Sequence, residues 1–424
     1  MDSAPRLPAC SGHPFPFAYL PDQDRTERRH VKFGIFYELQ LPKPWTRDSE
    51  YELFNNALDQ IELADKLGLD YAWEVEHHFL EEYSHSSAPE VFLAAASQRT
   101  KNIRLGHGII QLTTNHPARV AERVSTLDLL SHGRVELGLG EGSSVTELHP
   151  FERRFRDKRA VWEDAVRATL PMFWEEGWEY DGEYFKFPLR NVIPKPRQAP
   201  HPPLWVACSQ METIRMAGHR GMGALGFSFV NPESARAWCH AYYNEFVHRQ
   251  EKLCDYQTNA NIAVVAPFMC CETDEEAQSK MDGWSFFQFA LVLYNKEGPF
   301  KPGTVSLWDR YQDWKRNGDG RKVQPNSGLV GSPATIRERL RQFADVHIDQ
   351  VILLNQAGKN RHEDICSSLE LFAKEVMPEF HALEGEHQAW KRKVLAKEIL
   401  LEEIDTQKHR IESLQAPVAK ASAS

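Results

Sequence analysis

The sequence predicts an α/β chain folded as a (β/α)8 barrel, with insertions and an added C-terminal helix. Three observations carry this expectation. Short apolar runs alternate with longer stretches at helical spacing through the middle of the chain, an order that demands parallel strands joined by crossovers. Eight such units fall within roughly 350 residues, which suits a closed barrel; counting by itself also admits an open doubly wound sheet. The 424 residues, 42% hydrophobic and 26% charged, hold ample core material for one large barrel with additions or for two or three ordinary domains.

The strand candidates in order are "VKFGIFY" (31–37), "GLDYAWEVE" (68–76), "IRLGHGII" (103–110), "RVELGLG" (134–140), "PLWVAC" (203–208), "MGALGFSF" (222–229), "NIAVVAPFMC" (261–270) and "QVILLN" (350–355). Helical stretches lie at 49–67, 89–99, 117–131, 157–175, 211–220, 233–250, 333–346 and 363–376. Local chemistry marks some boundaries. Gly133 follows "LDLLSH", where a helix end needs a residue tolerant of a left-handed backbone. Ser332 before Pro333 reads as an N-cap with proline in the first helical position.

The barrel is expected over 31–380. Residues 1–30 are rich in proline and polar residues and read as a tail or loosely docked arm. Two inserts exceed what a barrel needs. Residues 177–203 hold the hairpin-like "WEYDGEYFKF" and the stiff "IPKPRQAPHPP"; residues 284–327 are aromatic and Gly-rich and read as an ordered loop, a candidate lid or pocket wall. Over 381–424, "HQAWKRKVLAKEILLEEIDTQKHRIESL" (387–414) has helical spacing and precedes a flexible tail; it reads as a helix packed on the body or one contacting a partner.

Composition excludes several classes. No apolar run approaches the ~20 residues of a membrane span, so no membrane association is expected. The first 30 residues lack a continuous apolar stretch, which speaks against a secretory signal. Seven scattered cysteines (Cys10, Cys208, Cys239, Cys254, Cys270, Cys271, Cys366) with no CxxC pair fit a reducing cytoplasm rather than a disulfide scaffold or zinc ribbon. A net charge of −10 gives no electrostatic footprint for nucleic acid. The expected partner is a small molecule.

Candidate chemistry gathers at the ends of the strands. "WEVEHHF" places Glu74, Glu76, His77 and His78 at the C-terminal end of the second strand, where barrel chemistry sits. Histidine titrates near neutrality, so a general acid/base fits. A metal site and a purely structural pair are the rival readings; adjacent residues on a strand point to opposite faces and HExxH spacing is absent, so no metal is expected. In "GHGII", Gly106 and Gly108 flank His107, marking either a close ligand approach or an ordinary bend. "GLGEGSS" (138–144) is a weak dinucleotide fingerprint, because Ser143 stands where the third glycine belongs. Ser209 and Thr213 follow the fifth strand at a helix start, a place suited to phosphate or to plain capping by Ser209.

With these segments in hand, the chain resembles the bacterial-luciferase-like family of flavin-dependent monooxygenases. The match runs from "GLDYAWEVEHHF" through "IRLGHGIIQLTTNHPARVAERVSTLDLLSHGRVELGLGEG", with "NVIPKPRQAPHPPLWVACS" and "GLVGSPATIRERLRQF" also fitting; it covers about residues 31–380. The resemblance implies a (β/α)8 barrel and reduced FMN, supplied by a separate NAD(P)H:flavin reductase. That cofactor reacts with O₂ to give a flavin hydroperoxide, which inserts one oxygen atom into a small organic substrate. It implies His77 as catalytic acid/base, with His78 and Glu76 beside it. It places Gly108–Ile109 where relatives have a non-proline cis peptide beneath the flavin, and Ser209 and Thr213 on the phosphate. Where relatives often carry a phosphate-binding arginine, this chain has Glu141. That carboxylate would repel phosphate unless it turns away or binds a cation, and Glu141→Arg is expected to tighten FMN binding. A homodimer is implied as well.

Rival functions on the same residues are hydride transfer with a deazaflavin, flavin binding without catalysis, and glycoside hydrolysis. The last would pair two of Glu74, Glu76, Glu136 and Glu141. The aromatic insert points to an apolar or aromatic substrate.

Overall fold

The computed structural model describes residues 31–226, 232–280, 282–317, 328–382 and 384–405. The expected arm (1–30), the end of the 222–229 run, residues 318–327 of the second insert and the C-terminal tail lie outside them.

Eight parallel strands close on themselves: β1 (Lys32–Tyr37), β2 (Tyr71–Glu74), β3 (Arg104–Gln111), β4 (Val135–Gly140), β5 (Leu204–Cys208), β6 (Gly223–Gly226), β7 (Ile262–Cys270) and β8 (Gln350–Gln356). Neighbours pair in chain order, β8 returns to pair with both β1 and β7, and β6 pairs with β7 to complete the ring. Each predicted apolar run supplies one strand. The barrel helices are α1 (Ser49–Leu67), α2 (Pro89–Arg99), α3 (Pro117–Leu130), α4 (Lys158–Thr169), α5 (Met211–His219), α6 (Pro232–His248), α7 (Pro333–Ala344) and α8 (His362–Glu375). The boundary chemistry holds: Gly133 has φ +83°, and the Ser332 side chain accepts from the Thr335 amide ahead of Pro333. No helix among the described residues is long and apolar enough to cross a membrane.

Strand alternation sends one set of side chains outward to the helices and the other into the barrel. Inside, Trp73 and Trp205 meet edge to face at 5.4 Å between ring centroids. Indoles of that size fill the middle of an eight-strand barrel only if facing positions are small. Accordingly, a Cβ on Gly106 would collide with the Trp73 ring, and one on Gly223 with Trp205. The first glycine of "GHG" therefore makes room for an indole. Gly106→Ala is expected to cost about 1–3 kcal/mol through overpacking, read as a lower denaturation midpoint.

The first insert forms the expected antiparallel hairpin, Trp178–Asp181 with Lys186–Arg190. The second is not an irregular loop: it contains helices Asp282–Glu297 and Leu307–Arg316. Its apolar residues are spaced so that Phe286 and Phe287 bury on one helix while Leu307 and Tyr311 bury on the other. A short strand, Leu329–Gly331, pairs with β7 outside the ring and has too few residues to show a period in sequence.

At the chain's other end, helices Met377–Ala382 and Glu384–Leu395 replace the single long helix expected over 387–414. The segment after Leu395 leaves the helical path because its contacts lie along α6: the Asn244 side chain reaches the Leu401 and Glu402 carbonyls, and Arg249 pairs with Glu403 at 2.8 Å. The docked helix closes the bottom of the barrel, where buried Asp349 meets Lys391 Nζ at 2.9 Å and His387 Nε2 at 2.8 Å.

Candidate active site

Three loops at the C-terminal ends of β1, β2 and β4 converge on one imidazole. β2 ends at Glu74, and the chain continues as an extended loop in which the His77 amide donates to the Ser86 carbonyl at 2.8 Å. This turns the His77 ring between two carboxylates. Nδ1 lies 2.7 Å from Glu147 Oε1, and Nε2 lies 2.9 Å from Glu38 Oε1; both glutamate side chains are 0% exposed.

Glu38 directly follows β1, and Glu147 sits in the short helix Val145–Leu148 after β4. Neither was singled out in the sequence. Glu147 had a signal: Ser144 three residues ahead of it is an N-cap pattern, and Ser144 does cap that helix by accepting from the Glu147 amide. Its carboxylate also receives Gln111 Nε2 at 2.8 Å, the His78 amide at 3.2 Å, and the hydroxyls of Ser143 and Ser144 at 3.2 and 3.0 Å.

Charge follows from this arrangement. Burial opposes a charged ring on His77, but the charges of Glu147 and Glu38 outweigh it and hold the ring's pKa well above 6.5. The two carboxylates respond differently. Burial pushes Glu147 up, yet His77 and the hydrogen bonds around it bring it down to about 2. At Glu38 burial prevails and raises the pKa despite His77. The Tyr83 hydroxyl beside Glu38 is itself pushed well above its ordinary range by burial. His77 is thus an imidazolium with a firm anion on one side and a proton-tolerant carboxyl on the other.

His78 faces away, with Nε2 2.9 Å from Glu76 Oε1 and its ring edge-on to Phe151 at 5.0 Å. Glu76 also takes Asn115 Nδ2 at 2.8 Å and the Gln111 amide at 3.0 Å, tying the loop after β2 to the end of β3. Among the described residues no cluster of three or more His, Cys, Asp or Glu side chains is placed to hold a metal ion.

The carboxylates of the hydrolase reading are not brought together. Glu136 lies inside the barrel, paired with Arg104 and accepting the Trp205 indole N–H at 2.6 Å. Glu74 contacts Ser86, and Glu141 is held by Arg159 through bonds of 3.1 and 3.1 Å, with Lys158 Nζ 3.7 Å away.

β3 and β4 fit through their glycines. Their register passes from His107↔Leu137 to Ile110↔Leu139, so β3 carries one extra residue at Gly108–Ile109. A Cβ on Gly138 would strike the His107 carbonyl, and one on Gly140 the Ile109 side chain. Gly138 and Gly140 therefore give packing room to this bulge. The cis peptides among the described residues are all X-Pro (43–44, 193–194, 199–200, 298–299), so the expected cis bond at Gly108–Ile109 is corrected to a bulge. His107 is buried in apolar surroundings that lower its pKa to about 4, which keeps it neutral.

After β5, Ser209 is exposed and Gln210, rather than Ser209, caps α5. Thr213 Oγ1 accepts from the Gln210 amide at 3.2 Å and donates to its carbonyl at 2.8 Å, so its hydroxyl closes the turn. Arg159 acts on this corner: burial pushes the Cys208 thiol up to about 12, while Thr213 and the Arg159 charge pull against it.

Over the barrel mouth, Trp284, Phe286, Phe287 and Tyr294 of the insert join Phe36, Trp73 and Val75 in one buried cluster. Glu82 fastens it by accepting the Leu307 and Trp308 amides at 2.5 and 3.1 Å.

A family model described as luciferase-like monooxygenase matches residues 31–350. The chain belongs to the luciferase-like monooxygenase family. This luciferase-like chain is 22% identical over 358 residues to the oxygenase component of the flavin-dependent trigonelline monooxygenase of Acinetobacter baylyi, covering 82% of this chain and 96% of that protein. In structure it resembles a monooxygenase from Streptomyces bottropensis (TM-score 0.67, 25% identity, 82% of this chain and 100% of that one). It shares its fold with the coenzyme F₄₂₀ dependent tetrahydromethanopterin reductase of Methanopyrus kandleri (TM-score 0.61, 20% identity, 83% and 99%). In this luciferase-like barrel, the Glu-His-His motif supplies a ring clamped by Glu38 and Glu147, and the loop after β4 supplies a carboxylate already neutralised by Arg159.

Proposed function

We propose that the chain is the oxygenase of a two-component flavin monooxygenase. It takes reduced FMN from a separate reductase and inserts one oxygen atom of O₂ into a small apolar or aromatic substrate. The observation that carries this reading is the His77 ring held between Glu38 and Glu147 at the barrel mouth, under an apolar cover.

The residues present fit the cofactor's phosphate. Lys158 and Arg159 against Glu141 leave one net positive charge after β4; exposed Ser209 and the amides at the start of α5 face anions favourably. Glu141 is therefore a positioning partner of Arg159, and the expectation that Glu141→Arg would tighten FMN binding is replaced: it would free Arg159 and crowd three cations. Arg159→Ala is expected to weaken reduced-FMN binding about tenfold, the loss of one charge-assisted contact, in an anaerobic titration.

Bound reduced flavin supplies the electrons that activate O₂. The protein's part is proton placement and dryness. Glu147, held ionised, keeps the Nδ1 proton on His77; Glu38, whose carboxyl tolerates a proton, faces Nε2 and exchanges with that side. Trp284, Phe287 and Tyr294 exclude water from the mouth. Oxygen uptake that requires both reduced FMN and a small apolar substrate, and stops without O₂, supports the proposal. Turnover continuing at the same rate under nitrogen indicates hydride transfer and overturns it.

A further inference from the structure

Where the second insert meets the barrel, a crevice of about 330 Å³ opens between the end of β7, the helix Asp282–Glu297 and the loop from β8 to α8. Met269 and Trp308 give it apolar surface. Lys280, Lys359 and Arg361 line it as cations, with Asp282 and Asp364 as the only carboxylates among the lining residues.

Both carboxylates are already taken. Asp364 accepts Arg361 Nε and Nη2 at 2.7 and 3.0 Å and stands 3.0 Å from Lys280 Nζ, which also pairs with Glu276 at 2.7 Å. Asp282 Oδ1 accepts Lys315 Nζ at 2.6 Å and the Tyr311 hydroxyl. Lys359 forms no ion pair among the described residues; its ammonium lies over the Trp308 ring, 4.3 Å from the centroid. Glu82 and Asp309 act on it only through space, and neither lines the crevice. Four cations (Lys280, Lys315, Lys359, Arg361) thus meet three carboxylates (Asp282, Asp364, Glu276), and one positive charge is left over. The donors tell the same story. Lysine and arginine side chains only donate, and neither Lys359 Nζ nor Arg361 Nη1 has a protein acceptor among the described residues. Asp364 fixes the guanidinium by its other edge, so Nη1 is held in place rather than free to wander. A crevice with surplus donors, one surplus positive charge and an apolar wall suits a single anion on an apolar body.

We propose that this crevice binds a small organic monocarboxylate, its oxygens meeting Lys359 Nζ and Arg361 Nη1 and its apolar body lying beside Trp308 and Met269. An apolar cavity of about 150 Å³ accepts benzene, so the volume here takes a phenyl ring on a short carboxylate chain. Entry is from solvent, where Lys359 and Arg361 are exposed, and His77 does not line the crevice. Trp308 belongs to the cover of the mouth, fastened there by its amide bond to Glu82 at 3.1 Å. A bound carboxylate therefore joins that cover to the loop after β8. This inference stands independently of the flavin reading.

The test is calorimetric titration of the flavin-free full chain with sodium 3-phenylpropionate. Saturable one-to-one binding is expected, weakened at least about tenfold in Lys359→Gln through loss of a charge-assisted contact. Ser279→Phe, at an exposed position of the crevice wall, should abolish it by filling the space. Both variants lie at the surface and should melt with the parent; if one does not, the other decides the matter. No saturable binding overturns the proposal. So does binding that is unchanged in Lys359→Gln or Ser279→Phe, or competition by neutral 3-phenylpropanamide at equal potency.

Discussion

His77→Ala is expected to lower turnover by roughly 10²–10⁴-fold, with reduced-FMN affinity little changed, because the phosphate contacts lie after β4 and β5. The variant removes the one cation between two buried carboxylates, and unpairing buried charges of this kind costs about 3–5 kcal/mol. Its melting temperature should fall with its activity, and the two effects need separating. Glu147→Gln does so. The amide keeps the shape and still accepts from Nδ1, but it removes the charge that contributes most to raising His77. The imidazolium should then lose its proton at lower pH, so the alkaline limb of the rate profile moves down while the fold remains. A profile that does not move would mean that the ring's charge plays no part in turnover.

The same shifts set the stability profile. His77 is raised above 6.5, so its contribution is complete below that value and is lost only as pH climbs through the higher folded value. Glu147 falls from 4.5 to about 2, so its contribution is present above 4.5 and is lost as pH drops toward 2. Stability is expected to hold through neutrality and to decline on acidification below 4.5.

The second large effect concerns the fold. Arg134→Met should destabilise the chain by about 3 kcal/mol or more, since carbonyls that it serves are left unsatisfied in the interior. Arg134 is 7% exposed, and each of its five side-chain N–H groups has a target: Nε meets Ser131 O at 2.8 Å, Nη1 meets Thr100 Oγ1 and Ile103 O at 2.9 and 2.7 Å, and Nη2 meets Ser97 O and Thr100 O at 2.9 and 3.1 Å. It thereby caps the end of α2 and binds it to the starts of β3 and β4. Arg134→Lys should recover part of the loss, because an ammonium cannot span the fork. Thermal unfolding of the two variants against the parent checks both statements.

What could be read from residues alone divides along a physical line. The barrel strands were legible because burial on both faces makes them continuous apolar runs such as "VKFGIFY" and "NIAVVAPFMC". Gly133 and Ser332 announced helix ends because their backbone and capping needs are local. The insert at 284–327 looked irregular because aromatic residues on nearly every face hide a helical period. At the site, "EHH" stood out by type, but its partners did not: Glu38 and Glu147 lie 39 and 70 residues from His77 and meet it only because a closed barrel brings the ends of β1, β2 and β4 together. Arg159 was hidden for the same reason. A repulsive Glu141 becomes benign only once α4 folds back and places the basic pair beside it.

The most direct test of this account is anaerobic calorimetric titration of the purified chain with reduced FMN. The account predicts a saturable isotherm with one flavin per chain, about tenfold weaker in Arg159→Ala and retained in His77→Ala. Absence of any saturable binding of reduced FMN would contradict it.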